Sequence, residues 1–177
     1  TQLGEVRAIQ LPDGSSLTLG AYSRAAVKLS ANERRVTLDR GEAYFEVAKD
    51  AARPFFVDAQ RAAVRVVGTR FDVRLGSSHV RIAVDEGAVA VNDRQAAVNG
   101  GQRIDVLPNG TLTEPTRIDD GEVAVWRDGR LVYDGAPLSE VVADLSRYRA
   151  AVTLKSPAAG KLRVTAGLRV EQIDQFV

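Results

Sequence analysis

Short runs of alternating apolar and polar residues fill the sequence from Glu5 to about Val125, and Gly, Pro, Asn and Asp separate these runs. Alternation with a period of two places one face of a strand in a core and the other in water, so the pattern predicts β-strands. Residues 6–11, the turn Pro12-Asp13-Gly14 and residues 15–19 predict a hairpin, because Pro presets one turn dihedral and Gly accepts a positive φ. We therefore expect a mainly β fold.

An internal similarity suggests that this β region is built from related units. Residues 35–45 resemble residues 81–91, with the basic, apolar, Asp and Gly positions in register. Each copy predicts a strand, a bend marked by Gly41 or Gly87, and a second strand. Such units suit a twisted β-sandwich or a short solenoid-like stack, and the sequence leaves both open.

The pattern changes near Trp126, so we expect an all-β domain over residues 1–125 and a small α+β subdomain over residues 126–177. The boundary falls between Thr116 and Arg130, and Trp126 is expected to pack at the domain junction with an acceptor for its indole N–H. The apolar positions predict a βαββα order: a strand at residues 131–133, a helix at 137–148, strands at 152–155 and 162–165, and a second helix beginning with Val170, Ile173, Phe176 and Val177. A complete module of this kind would have a further strand, so we expect the subdomain to be truncated at its C-terminus.

Composition argues against nucleic-acid binding and against a membrane span within this chain. Lys and Arg number 24 and Asp and Glu 23, so a net charge of +1 provides no field for attracting nucleic acid. No run of about 18 apolar residues predicts a membrane span. The chain starts at Thr1 and contains no Met, so we expect a piece of a longer protein whose membrane segment lies elsewhere.

The residues that usually carry catalysis or bind metals are sparse. His79 is the only histidine and there is no cysteine, so zinc sites made from His and Cys are impossible. We expect His79 to be solvated in a turn. The acidic pairs Asp85-Glu86 and Asp119-Asp120 predict solvated charges rather than acid/base or calcium sites, and Gly100-Gly101 lacks the helix of a phosphate-binding loop. The sequence therefore predicts neither an enzyme nor a bound cofactor.

Six short motifs, spread over about ninety residues, occur in the order seen in FecR-type anti-sigma factor regulators. They are Leu11-Pro12-Asp13-Gly14-Ser15, Gly41-Glu42-Ala43-Tyr44-Phe45-Glu46-Val47, Arg53-Pro54-Phe55, Val67-Gly68-Thr69-Arg70-Phe71, Glu86-Gly87-Ala88-Val89 and Gly101-Gln102. The C-terminal part, from Trp126 through Gly129-Arg130-Leu131 and Pro137-Leu138, resembles the STN type of domain.

This resemblance implies the periplasmic signalling domain of a single-pass inner-membrane protein in a Gram-negative bacterium. Its expected partner is the periplasmic signalling domain of a TonB-dependent outer-membrane transducer, and its expected output is an extracytoplasmic-function sigma factor in iron- and siderophore-responsive transcription. The sigma-binding segment and the membrane helix would lie outside this chain. A periplasmic β-sandwich that binds glycan or another small ligand is the alternative.

Two sets of residues are candidates for function. Leu131, Tyr133, Leu162, Arg163, Val164 and Arg169 are predicted to form a partner-binding surface on the small subdomain, by addition of a partner strand to an exposed edge. The competing interpretation of the four apolar residues is that they belong to a core.

The second candidate is the Gly68-Thr69 pair, where a threonine hydroxyl can attack the preceding carbonyl in an N–O acyl shift. Some relatives are similar in being processed within this domain, which would make the pair the site of a single self-cleavage. The competing interpretation is a glycine bend followed by an ordinary strand residue.

Overall fold

The computed structural model describes residues 1–92, 97–119, 121–149 and 152–175, and the fold is mainly β. The strands of the N-terminal part are β1 Arg7–Gln10, β2 Ser16–Leu19, β3 Arg24–Leu29, β4 Arg34–Arg40, β5 Glu42–Glu46, β6 Phe55–Ala59, β7 Ala62–Val66, β8 Arg70–Leu75, β9 Val80–Glu86, β10 Ala88–Val91, β11 Val98–Asn99, β12 Gln102–Val106 and β13 Thr116–Arg117. The C-terminal part contains β14 Arg130–Pro137, helix α1 Leu138–Tyr148 and β15 Arg163–Arg169, with short 3-10 helices at Val125–Asp128, Pro157–Lys161 and Val170–Gln175. No helix in these described ranges is long and apolar enough to cross a membrane.

The N-terminal strands form two sheets that pack face to face, and we call this body the sandwich. One sheet has the order β1-β2-β5-β8-β9-β12-β13 and the other β11-β10-β7-β6-β4-β3. Phe45 of the first sheet meets Phe55 of the second edge to face, with ring centroids 6.1 Å apart, and stacks on Phe71 at 4.9 Å. The aliphatic core contains residues from both sheets. A shared core between two sheets is a sandwich, so the solenoid-like alternative does not describe this fold.

The two similar segments have the predicted structure. Gly41 separates β4 from β5 and Gly87 separates β9 from β10, each with φ of +87°. In both cases the strands on either side of the glycine belong to different sheets. Glycine accepts this dihedral without a steric penalty, so each copy takes the chain across from one sheet to the other.

A buried ion pair anchors the first predicted hairpin inside the sandwich. The Arg34 and Asp13 side chains are almost fully buried, and Nη1 of Arg34 lies 2.8 Å from Oδ2 of Asp13. The same guanidinium also donates to the carbonyl oxygens of Arg53 and Ala48, each at 2.9 Å, and of Asp50 at 3.4 Å. Each charge is therefore well supplied with partners, as burial of an ion pair requires.

The C-terminal part, which we call the C-terminal module, packs against the outer face of the seven-stranded sheet. Strands β14 and β15 pair antiparallel, and α1 covers one face of this small sheet. The second core contains Tyr44 of β5, which points away from the sandwich core. Its buried members are Tyr44, Ala124, Trp126, Leu131, Tyr133, Val141, Leu145 and Ile173.

Two elements of the predicted βαββα order differ in the structure. Residues 152–154 form no strand: the Val152 carbonyl accepts a hydrogen bond from the Ser146 hydroxyl at 3.0 Å rather than from a ladder partner. Leu154 instead packs near Gly160, where an added Cβ would lie 3.3 Å from the Leu154 side chain. The predicted second α-helix is a 3-10 helix at Val170–Gln175, and its expected members Phe176 and Val177 lie outside the described residues.

Candidate functional site at the junction of the two modules

A cavity of about 390 Å³ lies between the seven-stranded sheet and the C-terminal module. Residues from both sides line it, including the only tryptophan. We call this region the junction and define it by its buried or half-buried polar residues. They are Glu42, Asp72, Arg74 and Arg81 from the sandwich, Trp126 and Tyr133, and Glu140, Asp144 and Arg147 from α1.

Strand alternation places the sandwich residues on the junction face. In β8, Phe71, Val73 and Leu75 belong to the sandwich core. Asp72 and Arg74 lie between them in sequence and line the cavity, as a period of two requires.

The helix contributes charges beside its apolar stripe. Glu140, Asp144 and Arg147 follow one another at spacings of four and three residues, which places them on one side of α1. Glu140 and Asp144 are only 4% and 3% exposed, although a solvated helix face would leave such carboxylates in water. Their burial means that α1 presents acids, as well as Val141 and Leu145, to its neighbours.

Arg74 is the centre of the ion-pair network. It forms an ion pair with Asp144 and lies 3.9 Å from a carboxylate oxygen of Glu42 and 3.9 Å from one of Glu140. Arg81 lies 4.0 Å from the same Glu140 oxygen and 2.9 Å from Asp105. Sandwich arginines thus balance helix carboxylates across the junction, which makes the docking of α1 electrostatic as well as apolar.

Asp72 is a buried acid whose environment favours the neutral form. Burial and the nearby Glu42 carboxylate raise the pKa of Asp72 to about 7, although the Trp126 hydrogen bond and Arg74 act in the opposite direction. The indole Nε1 of Trp126 donates to Oδ1 of Asp72 at 3.0 Å. The sequence-based expectation that Trp126 packs at the junction and needs an acceptor is confirmed.

Tyr44 makes a second contact between the sandwich and the segment that enters the C-terminal module. Its hydroxyl donates to Asp85 at 2.6 Å, and the Arg127 guanidinium lies 3.6 Å from its ring centroid. Burial, followed by the hydrogen bond to Asp85, raises the pKa of Tyr44. Asp85 is exposed, as predicted, and its carboxylate also accepts the hydrogen bond of this buried hydroxyl.

Several buried polar atoms at the junction make no hydrogen bond within the part of the chain that the structure describes. They are Nε of Arg74, Nη1 of Arg147 and the hydroxyls of Tyr133 and Tyr148, whereas Nη2 of Arg74 and Oδ2 of Asp144 contact each other as an ion pair. Burial of polar groups without full hydrogen bonding costs free energy, and strained or functional sites are where this occurs. The junction is therefore bonded by charge attraction more than by optimal hydrogen bonds.

The predicted partner-binding residues divide into two groups. Leu131 and Tyr133 are buried in the second core, which fits the competing interpretation of them as core residues. The other four lie at or near β15: Val164 is half-buried, Arg163 and Arg169 are exposed, and Leu162 is 60% exposed. These last four remain the predicted contact surface.

Gly68 and Thr69 lie in the sandwich, before β8. Thr69 is 5% exposed, and its hydroxyl donates to the Ala88 carbonyl at 3.0 Å. A Cβ on Gly87 would lie 3.3 Å from both the Gly68 carbonyl oxygen and the Thr69 hydroxyl, so the glycine gives these two groups room. The hydroxyl thus has a structural partner, and self-cleavage stays a prediction.

The sequence did not reveal the junction residues other than Trp126 and Tyr133. A usable signal was present, since Glu140 and Asp144 flank the apolar stripe of α1, and Asp72 and Arg74 alternate with core residues on β8. His79, expected in solvent, lies beside the cavity with Nε2 3.0 Å from Nη2 of Arg81. The residues come together only because α1 packs on the sheet, and a local sequence pattern does not predict that packing.

Comparison with known proteins places the chain in a family. A family model described as FecR protein matches residues 1–90, just over half of the 177 residues. The chain therefore belongs to the FecR family of anti-sigma factor regulators, as the six ordered motifs predicted. No curated protein matches the chain.

Two crystal structures of proteins from Parabacteroides distasonis ATCC 8503, provisionally named as anti-sigma factors, have a similar fold. The first, at 1.65 Å resolution, has a TM-score of 0.83 and 24% identity, covering 99% of this chain and 86% of that one. The second, at 2.50 Å, has a TM-score of 0.79 and 24% identity, covering 98% and 85%. The coverage extends the shared fold to the C-terminal module.

Proposed function

We propose that the chain is the periplasmic signalling domain of a membrane-anchored anti-sigma factor regulator. It receives its signal from the N-terminal signalling domain of a TonB-dependent outer-membrane transducer and controls an extracytoplasmic-function sigma factor in iron- or siderophore-responsive transcription. The observation that carries the proposal is the β15 edge of the C-terminal module, on a module joined to a FecR sandwich. The domain has no catalytic turnover in this role.

The edge of β15 is suited to adding a strand. In the described residues the small sheet has only two strands, so β15 pairs with β14 along one side alone. Its residues alternate between exposed and half-buried over all seven positions. A partner strand would complete the backbone hydrogen bonds of this edge, and alternate side chains would give specificity.

The charge near this edge indicates the chemistry of the partner. Arg130 and Arg169 are opposite one another in the register of β14 and β15, and both are exposed, as is Arg163. Like charges placed opposite one another are unfavourable in an isolated sheet. An acidic partner surface would relieve this repulsion and would speed association through electrostatic steering.

Calorimetric titration tests the proposal directly. The chain is titrated with the purified periplasmic signalling domain of the TonB-dependent transducer encoded beside it, and we expect saturable 1:1 binding. Replacing Arg163 and Arg169 by Glu should weaken binding by about tenfold or more and reduce its dependence on salt.

The matched control is Arg61→Glu, an exposed residue in the turn between β6 and β7, which should leave the affinity unchanged. Absence of binding with both proteins folded would overturn the proposed function. Equally strong binding by the Arg163→Glu/Arg169→Glu variant would support the proposed signalling function but would show that β15 is not the binding surface.

The junction cavity favours a second candidate, recognition of a small polar ligand. Its lining combines Trp126 and Tyr133 with both acidic and basic side chains, a composition that fits a polar or zwitterionic molecule better than an apolar one. A change in Trp126 fluorescence on adding a panel of amino acids and short glycans would support this function. If no compound of the panel changes the fluorescence and the transducer binds, the signalling function is supported and ligand recognition is not.

A further inference from the structure

Residues 1–5 contact both modules. On the sandwich side, the Thr1 hydroxyl donates to the Gly20 carbonyl at 2.6 Å and accepts from the Ser23 N–H at 2.7 Å. On the module side, the Gly4 N–H donates to the carbonyl of Arg147, in the last turn of α1, at 3.0 Å. The segment therefore bridges the sandwich and the end of the helix.

The backbone conformation at Gly4, rather than a lack of space, favours glycine. Its φ is +70°, which other residues rarely adopt, and a Cβ there would lie 3.6 Å from the Tyr148 carbonyl oxygen. The last carbonyls of an α-helix have no partner within the helix. Gly4 satisfies one of them, so the N-terminal segment acts as an external cap for α1.

Arg147 holds the same helix end against the sandwich through its side chain. Nη2 donates to the Leu75 carbonyl at 2.6 Å, and Nη1 lies 3.6 Å from Oε2 of Glu42. Within the helix, Asp144 lies 3.8 Å from Nη2. One residue thus contacts the sandwich by its guanidinium and the N-terminal segment by its carbonyl.

A second path closes a ring between Arg147 and the N-terminal segment. Ser23, which bonds Thr1 through its backbone, accepts a hydrogen bond on Oγ from the Glu42 N–H at 2.9 Å. A Cβ at position 41 would lie 2.0 Å from that Oγ, so this hydrogen bond requires the Gly41 of the family motif. The contacts run from Thr1 through Ser23 and Glu42 to Arg147 and back through Gly4.

We infer that Arg147 is the positioning residue that couples the C-terminal module to residues 1–5, so that the order of this segment follows the docking of α1. The inference deepens the proposed function, because it names the route by which partner binding reaches the other end of the domain. Displacement of the helix end breaks the guanidinium contacts with the sandwich and the Gly4 cap together, whereas stabilising the module tightens both.

The first test needs no partner. Amide hydrogen exchange is measured by NMR at Gly4 and at Tyr22, whose N–H donates to the Gln2 carbonyl. We expect Arg147→Met to speed exchange at both amides about tenfold. Arg147→Lys, which keeps a donor and a charge, should restore most of the protection, and Arg61→Met is the matched control. Unchanged exchange at Gly4 and Tyr22 in folded Arg147→Met would overturn the coupling.

Coupling between two sites is reciprocal, which provides a variant that leaves α1 intact. Gly4→Ala strains the segment at its positive φ and should speed exchange at Arg149, whose N–H donates to Leu145 in the last turn. This variant keeps the inference falsifiable if Arg147→Met does not fold. Unchanged exchange at Arg149 in folded Gly4→Ala would contradict the coupling.

The second test adds the transducer signalling domain at saturation, with binding followed independently by calorimetry. Binding should slow exchange at Gly4 and Tyr22 in the wild type and leave it unchanged in Arg147→Met. Absence of calorimetric binding would count against the proposed function alone, and the partner-free arms would still decide the coupling. Binding with no change at residues 1–5 would overturn the coupling and leave the proposed function standing.

Discussion

Two arginines that pair with buried carboxylates, the buried Arg34 and the half-buried Arg74, have different surroundings. Arg34, inside the sandwich, has a fully buried side chain with one carboxylate and three carbonyl oxygens as acceptors. Arg74, at the junction, faces three carboxylates, pairs directly with Asp144, and has an Nε that makes no hydrogen bond in the described residues. The first site is saturated, in the sense that every guanidinium nitrogen of Arg34 donates a hydrogen bond. The second site lines a cavity.

This difference indicates which part of the molecule is built for rigidity and which for rearrangement. A buried pair with complete hydrogen bonding has one favourable arrangement, so it fixes the first hairpin against the loop at residues 48–53. At the junction, Arg74, Arg81 and Arg147 each lie within 4.0 Å of two or more carboxylates, so none of the three belongs to a single pair. We therefore expect partner binding to change the junction more than the Arg34 site.

The largest expected effect is at the saturated site. Arg34→Met should lower the free energy of unfolding of the sandwich by about 3–5 kcal/mol, because it leaves the Asp13 charge buried without its partner. The matched control is the neighbouring Arg35→Met, whose pairs with Glu33 and Asp58 are partly exposed and should be worth about 0–1 kcal/mol. Denaturant unfolding followed by far-UV circular dichroism measures both, and equal losses would remove the distinction between the two kinds of pair.

The pH dependence of the two sites should have opposite signs. Burial alone would raise the pKa of Asp13, but hydrogen bonds from Arg34 and Ser15 hold it below its usual value. Its stabilising contribution is present above the unfolded pKa and is lost as the pH falls through the lower folded value. Asp72 has a folded pKa of about 7 against 3.8. Its contribution is complete below about pH 4 and is lost as the pH rises toward 7.

Trp126 fluorescence at the junction, compared with circular dichroism of the sandwich, measures this contrast. We expect the junction to lose about 2 kcal/mol between pH 5 and pH 7, within the limit of about 1.4 kcal/mol per unit for one proton. Asp72→Asn should flatten the fluorescence-detected profile in this range. A profile with the same slope in that variant would assign the effect to another group.

A smaller and more local effect is expected from Arg74→Met. The variant leaves Glu42, Glu140 and Asp144 without their shared cation, but Arg81 still lies 4.0 Å from Glu140, and Arg147 lies 3.6 Å from Glu42 and 3.8 Å from Asp144. We expect a loss of about 1–2 kcal/mol in the fluorescence-detected transition, with little change in the transition detected by circular dichroism. Coincident shifts in both signals would show that the junction and the sandwich unfold as one unit.

The sandwich was largely predictable from sequence and the junction was not. The hairpin at Pro12-Asp13-Gly14 and the bends at Gly41 and Gly87 have local causes, because turn residues and period-two alternation act over a few neighbours. The bounds of α1 followed its apolar spacing for the same reason. Burial of Glu140 and Asp144 depends instead on Arg74, more than sixty residues earlier in the chain, which no local pattern reveals.

The errors in the C-terminal module have a related cause. Residues 152–155 alternate like a strand, but neighbouring chain takes up their packing and hydrogen bonds: Ser146 binds the Val152 carbonyl, and Leu154 packs near Gly160. Tertiary packing thus overrides a short β pattern, whose preference is context-dependent. The FecR motifs identified the family without identifying the junction, although Glu42 of one motif lies within it.

The smallest predicted effect concerns Thr69, which lies in the sandwich, as Arg34 does. Its buried hydroxyl donates to the Ala88 carbonyl, so Thr69→Ala should cost about 1 kcal/mol and Thr69→Ser should recover most of it. If the hydroxyl acts only in this way, intact-mass analysis shows an unbroken chain in all three proteins. Fragments ending at Gly68 in the wild type and in Thr69→Ser, but not in Thr69→Ala, would instead establish the acyl shift. The Thr69 hydroxyl would then have to break its hydrogen bond to the Ala88 carbonyl before it attacks.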